Sequence, residues 1–117
     1  MSFFVRARFD VHDQRQRDFE EAALALREQA GEEPGTLNYR WFSAGAGSYL
    51  VLEEYVDSSA AMAHNARGAD LLARIGQCAE MVYAELYGPL GPELREWVAA
   101  HPQAVTFAEF PDQGGEG

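Results

Sequence analysis

What constrains this chain most is the order in which two periodicities alternate along it. The stretch FFVRARFDV, Phe3 to Val11, puts Phe3, Val5, Ala7 and Phe9 on one side and Phe4, Arg6, Arg8 and Asp10 on the other. A period of two predicts a half-buried strand. Phe19, Ala22, Ala23, Leu26 and Ala30 then fall at helical spacing, behind Asp13 and Gln16 in the pattern of a capping box and ahead of Gly31 as a stop. The turn EEPG leads to a second strand, TLNYRWFSA, and GAG makes a hairpin into a third, SYLVLEEYV. Asp57 or Ser58 caps a second helix that breaks or restarts near Gly68 and runs on through Leu71, Leu72 and Ile75. A fourth strand, EMVYAELYG, closes the series.

The order β-α-β-β-α-β predicts an α+β domain of ferredoxin-like topology, an antiparallel sheet with both helices on one face. Pro92 then opens a C-terminal helix, ELREWVAA, and AVTFAEF reads as a short fifth strand. A chain of 117 residues accommodates one such domain, residues 1–110, with its core at 3–88 and an extension at 89–110; residues 111–117, with nothing to bury, are expected to be a flexible tail.

The formal net charge of −10 disfavours nucleic acid and anionic membranes as partners, since phosphate contacts need clustered cations. A hydrophobic fraction of 47% argues for a folded core in spite of that charge. All nine cations are arginines, a usage that suggests a GC-rich bacterial genome. Cys78 is the single cysteine, so neither an intrachain disulfide nor a cysteine zinc cluster is available. The three histidines are too scattered for a metal site, and GAGS is a hairpin tip rather than a phosphate loop. With no membrane-length apolar run and no signal-peptide core in MSFFVRARF, a cytoplasmic protein is expected.

Function turns on the face of the sheet away from the helices. Alternation assigns Leu50, Leu52, Val82, Ala84 and Leu86 to the helix side, together with the apolar positions of the first strand. It leaves Arg6, Arg8, Glu53, Tyr55, Met81, Tyr83, Glu85 and Tyr87 opposite. In the second strand either Leu37, Tyr39 and Trp41 or Asn38, Arg40 and Phe42 occupy that second face. Such a face is too apolar for open water and too charged for a dry interior. A second subunit covers it with the charges paired, or it lines a ligand cavity, or both.

Three segments, EEPGTLNYRWF, LEEYVDSSAAMAH and AELYGPLGPELREWV, resemble the antibiotic biosynthesis monooxygenase family. The resemblance spans roughly residues 3–88, and the motif Glu53-x-Tyr55-x-Asp57 followed by small residues and His64 is its most specific part. It implies a homodimer whose sheets pair into a dimeric α+β barrel. It also implies an oxygenase without metal, flavin or haem, turning a small aromatic phenol or quinol and O₂ into a quinone. By residue type and region it points to His64, Tyr55, Asn38 and Trp41 as catalytic, and to Arg6, Arg8, Tyr83 and Glu53 as substrate-binding. The haem-degrading branch is less similar, because the first strand offers arginines and the late helix, LLARIGQ, has no histidine.

Each candidate also has a structural reading. His64 is either a hydrogen-bonded histidine at the helix–sheet boundary or a base, for which an imidazole suits proton abstraction from a phenol. Asn38 and Trp41, three apart, cannot share a face without a bulge. Tyr55 and Tyr83 serve equally as dimer packing, and Arg6, Arg8, Glu53 and Glu85 as an interface ion-pair network. His12 and His101 read as surface residues and Cys78 as inert. A non-catalytic barrel binding an aromatic ligand, and an isomerase or cyclase on the same scaffold, are the alternatives.

Overall fold

The structure is a computed structural model in which residues 2–111 are described; the expected tail at 111–117 lies outside them except for Pro111. The elements are β1 (Phe3–Val11), α1 (Gln16–Ala30), β2 (Thr36–Gly45), β3 (Ser48–Tyr55), α2 (Ser58–Arg67), α3 (Ala69–Cys78), β4 (Ala79–Tyr87), α4 (Pro92–Ala100) and β5 (Ala104–Phe107). They form one open five-stranded sheet in the order β2-β3-β1-β4-β5, antiparallel except where β5 joins β4. The α+β, ferredoxin-like expectation holds, with β5 added at the β4 edge. No helix among the described residues is long and apolar enough to cross a membrane.

Local chemistry explains most boundaries. The Asp57 side chain accepts from the Ala60 amide at 2.9 Å, satisfying one of the free N–H groups at the start of α2. The helix after it does break at Gly68. A Cβ on Gly68 would sit 2.8 Å from Leu26, so the break lets α1 pass close by. The hairpin at Gly45, Ala46 and Gly47 runs through positive φ at all three residues. Asp13, by contrast, caps nothing: α1 starts three residues later, behind Arg15, with no side-chain cap.

Register corrects the assignment of faces. Directly opposed residues of an antiparallel pair point the same way. Phe3 faces Tyr55, Val5 faces Glu53 and Ala7 faces Val51, whereas Arg6 faces Leu52 and Arg8 faces Leu50. Glu53 and Tyr55 therefore lie on the helix side, and Leu50 and Leu52 on the other, the reverse of the expectation. Both parities of the β3 segment are equally apolar, so alternation alone had no grip there. In β4 a bulge between the Arg8 and Phe9 pairings skips Val82, which sends Met81 to the helix side and leaves Val82 exposed. In β2 the ambiguity resolves with Tyr39 and Trp41 under the helices and Asn38, Arg40 and Phe42 opposite.

The layer between sheet and helices is built unevenly. Beneath α1, Phe9, Phe19, Trp41 and Tyr49 interlock, with Phe19 and Trp41 edge to face at 5.5 Å and Phe19 and Tyr49 at 4.8 Å. Towards β1 and β4 the side chains shrink to Ala7, Ala61, Gly76, Ala79 and Ala84. Small residues on both walls cannot fill the space between sheet and helix, and a chamber remains there.

Candidate functional site

That chamber has a volume of about 390 Å³ and lies between the inner face of the sheet and α2, α3 and α4. Its walls are mainly aliphatic, including Val5, Leu72, Ile75, Leu86 and Leu94. Apolar lining with a few polar groups is the usual composition of a small-molecule site. The polar groups are Glu53 from β3, Asn65 from α2, and His101 and Gln103 from the α4–β5 connection.

Glu53 is the ionisable group that matters most. It keeps some accessible surface because it lines the chamber, but protein surrounds it. Burial raises its pKa above the ordinary carboxylate value, and the hydrogen bond from the Tyr55 hydroxyl and the nearby His64 only partly offset this. Tyr55 is fully buried, and burial together with the Glu53 charge drives its own pKa far upward, so it remains a donor. Tyr39 is likewise raised by burial and by Glu53 and Glu33.

Behind this wall sits a second buried pair. His64 Nδ1 lies 2.8 Å from Glu33 Oε1, with the two side chains 1% and 10% exposed. Gln29 and Thr36 also donate to Glu33, at 2.7 and 2.8 Å. Burial pushes the Glu33 pKa up, but these bonds and His64 outweigh it, and the carboxyl stays below its ordinary value. The imidazole is sandwiched by rings, with Tyr39 at 5.0 Å and Tyr55 at 5.8 Å between centroids. His64 does not itself line the chamber; it braces the tyrosines beside Glu53.

The structure thus brings together His64, Tyr55 and Glu53, with Trp41 further along the same face. Trp41 packs against Phe9, Phe19 and Tyr39, and its buried indole N–H is directed at the Tyr39 side chain. Neither it nor Tyr55 fills the chamber. Asn38, Arg6, Arg8 and Tyr83 lie on the opposite face, away from it. There Arg6 pairs with Glu85 at 2.8 Å, Tyr87 donates to Glu85, and the Arg6 guanidinium sits 5.7 Å from the Tyr83 ring centroid. Arg8 reaches Asp10 at 3.6 Å and makes no bridge to Glu53.

His101, expected at the surface, instead lines the chamber. Asn65, Trp97 and Gln103, none of them a candidate from the sequence, also line the chamber, and Glu33 and Tyr39 stand beside His64 behind its wall. The position of Glu33, on the turn before β2 and opposite a helix histidine, is visible only once α2 is laid across the sheet. Cys78 is buried, with Arg15 donating to its Sγ at 3.6 Å. No cluster of three or more metal-ligating side chains occurs among the described residues.

The family model described as antibiotic biosynthesis monooxygenase matches residues 2–72, from β1 into the first turn of α3. The chain belongs to that family. The matched region contains Glu33, Tyr39, Glu53, Tyr55 and His64, but neither β4 nor α4. No curated protein matches the sequence. Among solved structures, MupZ from Pseudomonas fluorescens superposes with a TM-score of 0.76 at 22% identity, over 92% of this chain and 89% of MupZ. SnoaB of Streptomyces nogalater, named as a cofactor-independent oxygenase, gives 0.64 at 16% identity over 73% of this chain and 89% of its own. A candidate antibiotic biosynthesis monooxygenase from Caulobacter crescentus CB15 gives 0.65 at 26%, over 73% and 86%. The MupZ match spans more residues than β1 to β4 contain, so it takes in part of the α4–β5 extension.

Proposed function

We propose that this family member is a cofactor-independent oxygenase that oxidises an electron-rich phenol or quinol with O₂ inside the chamber, with Glu53 as its base. The observation that carries the reading is a single carboxyl, its pKa raised by burial, on the wall of a mainly apolar chamber. A carboxylate in such a setting, once ionised, is a stronger base than one in water. It takes the phenolic proton, and the electron-rich phenolate gives one electron to O₂, producing a phenoxyl radical and superoxide. The two combine at a ring carbon as a peroxide. Loss of water then leaves a carbonyl, with one oxygen atom in the quinone and the other in water. All electrons come from the substrate, and the proton held by Glu53 leaves in that water. Tyr55 orients the carboxyl, and His64 with Glu33 fixes the tyrosines. SnoaB, named as an oxygenase of this kind, lends the reading a precedent on the same fold.

The test is oxygen uptake by purified protein with a panel of hydroxyanthrones and naphthoquinols. The reading expects one O₂ consumed per quinone formed, and a loss of about 10²–10⁴-fold in Glu53→Gln. Absence of uptake across the panel rejects it. An isomerase or cyclase is the second reading, favoured by the Tyr55–Glu53 contact, since an acid–base pair needs no oxygen. Product formed equally well under nitrogen identifies that case.

The outer face supports a further part of the proposal, a homodimer. Phe4, Leu52, Phe42 and Val82 are 39–43% exposed there, and Val105 and Phe107 of β5 continue the patch. Several large apolar side chains exposed on one sheet face favour an interface there. Arg6 and Glu85 already neutralise each other, which lowers the cost of covering them. A bacterial, cytoplasmic setting belongs to the same proposal and rests on the sequence features given above.

A further inference from the structure

The chamber is polar at two places far apart. Glu53 belongs to β3, whereas Gln103 accepts a hydrogen bond from the Ala84 amide at 3.2 Å, at the start of β5. Between β3 and β5 lie β1 and β4, three inter-strand steps or about 14 Å. The second polar end is well built. His101 Nδ1 lies 2.7 Å from the Trp97 carbonyl oxygen, which can only accept, so Nδ1 carries a hydrogen and Nε2 of the neutral ring is left as an acceptor. The imidazole stacks on the Trp97 ring at 4.1 Å and 19°, which fixes its plane. Gln103 Nε2 makes only a long contact of 3.5 Å to the Met81 carbonyl, and Asn65 faces the same chamber from α2.

We propose that His101, with Gln103, binds a second polar group of the substrate, so that the α4–β5 extension selects an elongated aromatic bearing a hydroxyl at each end. One hydroxyl meets Glu53, the apolar body lies along Leu86, Leu94 and Trp97, and the other hydroxyl donates to His101 Nε2. His101 is a specificity residue and takes no part in the proton transfer. The inference rests on the chamber being the substrate site, as the proposed oxygenase requires.

Calorimetric titration with two probes tests it: a dihydroxynaphthalene carrying its hydroxyls at opposite ends, and the matching naphthol with one. One net hydrogen bond at the far end gives the diol an advantage of about three- to tenfold in wild-type protein. In His101→Leu that advantage disappears while the naphthol affinity stays within about twofold, and Gln103→Leu reduces it partially. Thermal melts of both variants matching wild type show that the fold is intact; if His101→Leu melts early, His101→Gln, which keeps a polar side chain, retains part of the advantage. Equal affinity of wild type for the two probes, or an advantage unchanged in His101→Leu, overturns the inference, as does failure of both probes to bind. Oxygen uptake is followed in parallel. Uptake without discrimination sinks this inference alone, and discrimination without uptake sinks the oxygenase alone.

Discussion

Replacing His64 with alanine removes an imidazole whose side chain is 1% exposed and leaves Glu33, 10% exposed, without the partner 2.8 Å away. Leaving a buried carboxylate short of a hydrogen-bond partner costs about 1–3 kcal/mol, and more because the group is charged. Glu33 keeps its bonds from Gln29 and Thr36, which lowers that figure, while the hole left between Tyr39 and Tyr55 raises it. A loss of about 3 kcal/mol results, which shifts a urea midpoint by about 1–3 M at the usual slope. Since Glu33 sits below its ordinary value of 4.5, the stability it contributes is present above that pH and is lost as pH falls through its folded-state value. A double-mutant cycle of His64→Ala with Glu33→Ala should therefore give a coupling of about 1.5–3 kcal/mol at pH 7 that fades in acid. Coupling below about 0.5 kcal/mol, or independent of pH, would refute the paired geometry. Domains of this size have about 5–15 kcal/mol to spare, so the variant still folds at 25 °C and its activity is measurable. A bracing role predicts a loss of roughly tenfold or less, whereas a base would lose about 10²–10⁴-fold.

Glu53→Gln should slow oxidation about 10²–10⁴-fold yet stabilise the protein at pH above the folded-state value of Glu53. Because the Glu53 pKa is raised, the contribution of this one group is greatest below the ordinary value of 4.5 and is lost as pH rises through the folded-state value, a loss the amide escapes; the difference in melting temperature between variant and wild type should therefore grow from acid to alkaline pH, and a difference independent of pH would contradict this. Leu52→Arg on the outer face should convert a dimer of twice 13.0 kDa to monomers in light scattering at micromolar concentration, and wild type that scatters as a monomer would remove the dimer. Gly35→Ala should cost about 1–3 kcal/mol, because its Cβ would lie 2.7 Å from that of Ala60 on α2; an unchanged melt would show that the turn yields freely.

Element order, the hairpin at Gly45 to Gly47, the Asp57 cap and the break at Gly68 were all legible in the sequence, because each is written in local spacing and turn chemistry. The faces of β3 and β4 were not. In YLVLEEY apolar residues occupy both parities, so Tyr49, Val51 and Tyr55 compete evenly with Leu50 and Leu52, and only pairing with β1 decides. The skipped Val82 leaves no mark in the local pattern either. Residue type and resemblance single out His64, Tyr55 and Glu53 as candidates, which the structure brings together, although alternation assigns Tyr55 and Glu53 to the opposite face. The chamber itself arises from what Ala7, Gly76 and Ala84 do not fill, and a void between distant segments has no one-dimensional signature. The same reason hid His101, which reaches the site only because α4 folds back over the sheet.

A crystal structure of the protein soaked with an unreactive naphthol tests the central claim most directly. The account predicts ligand density between the sheet and α2 to α4, with the hydroxyl in hydrogen-bond range of the Glu53 carboxyl. Density confined to the outer face around Arg6 and Tyr83, or a chamber closed by its own side chains, would contradict it.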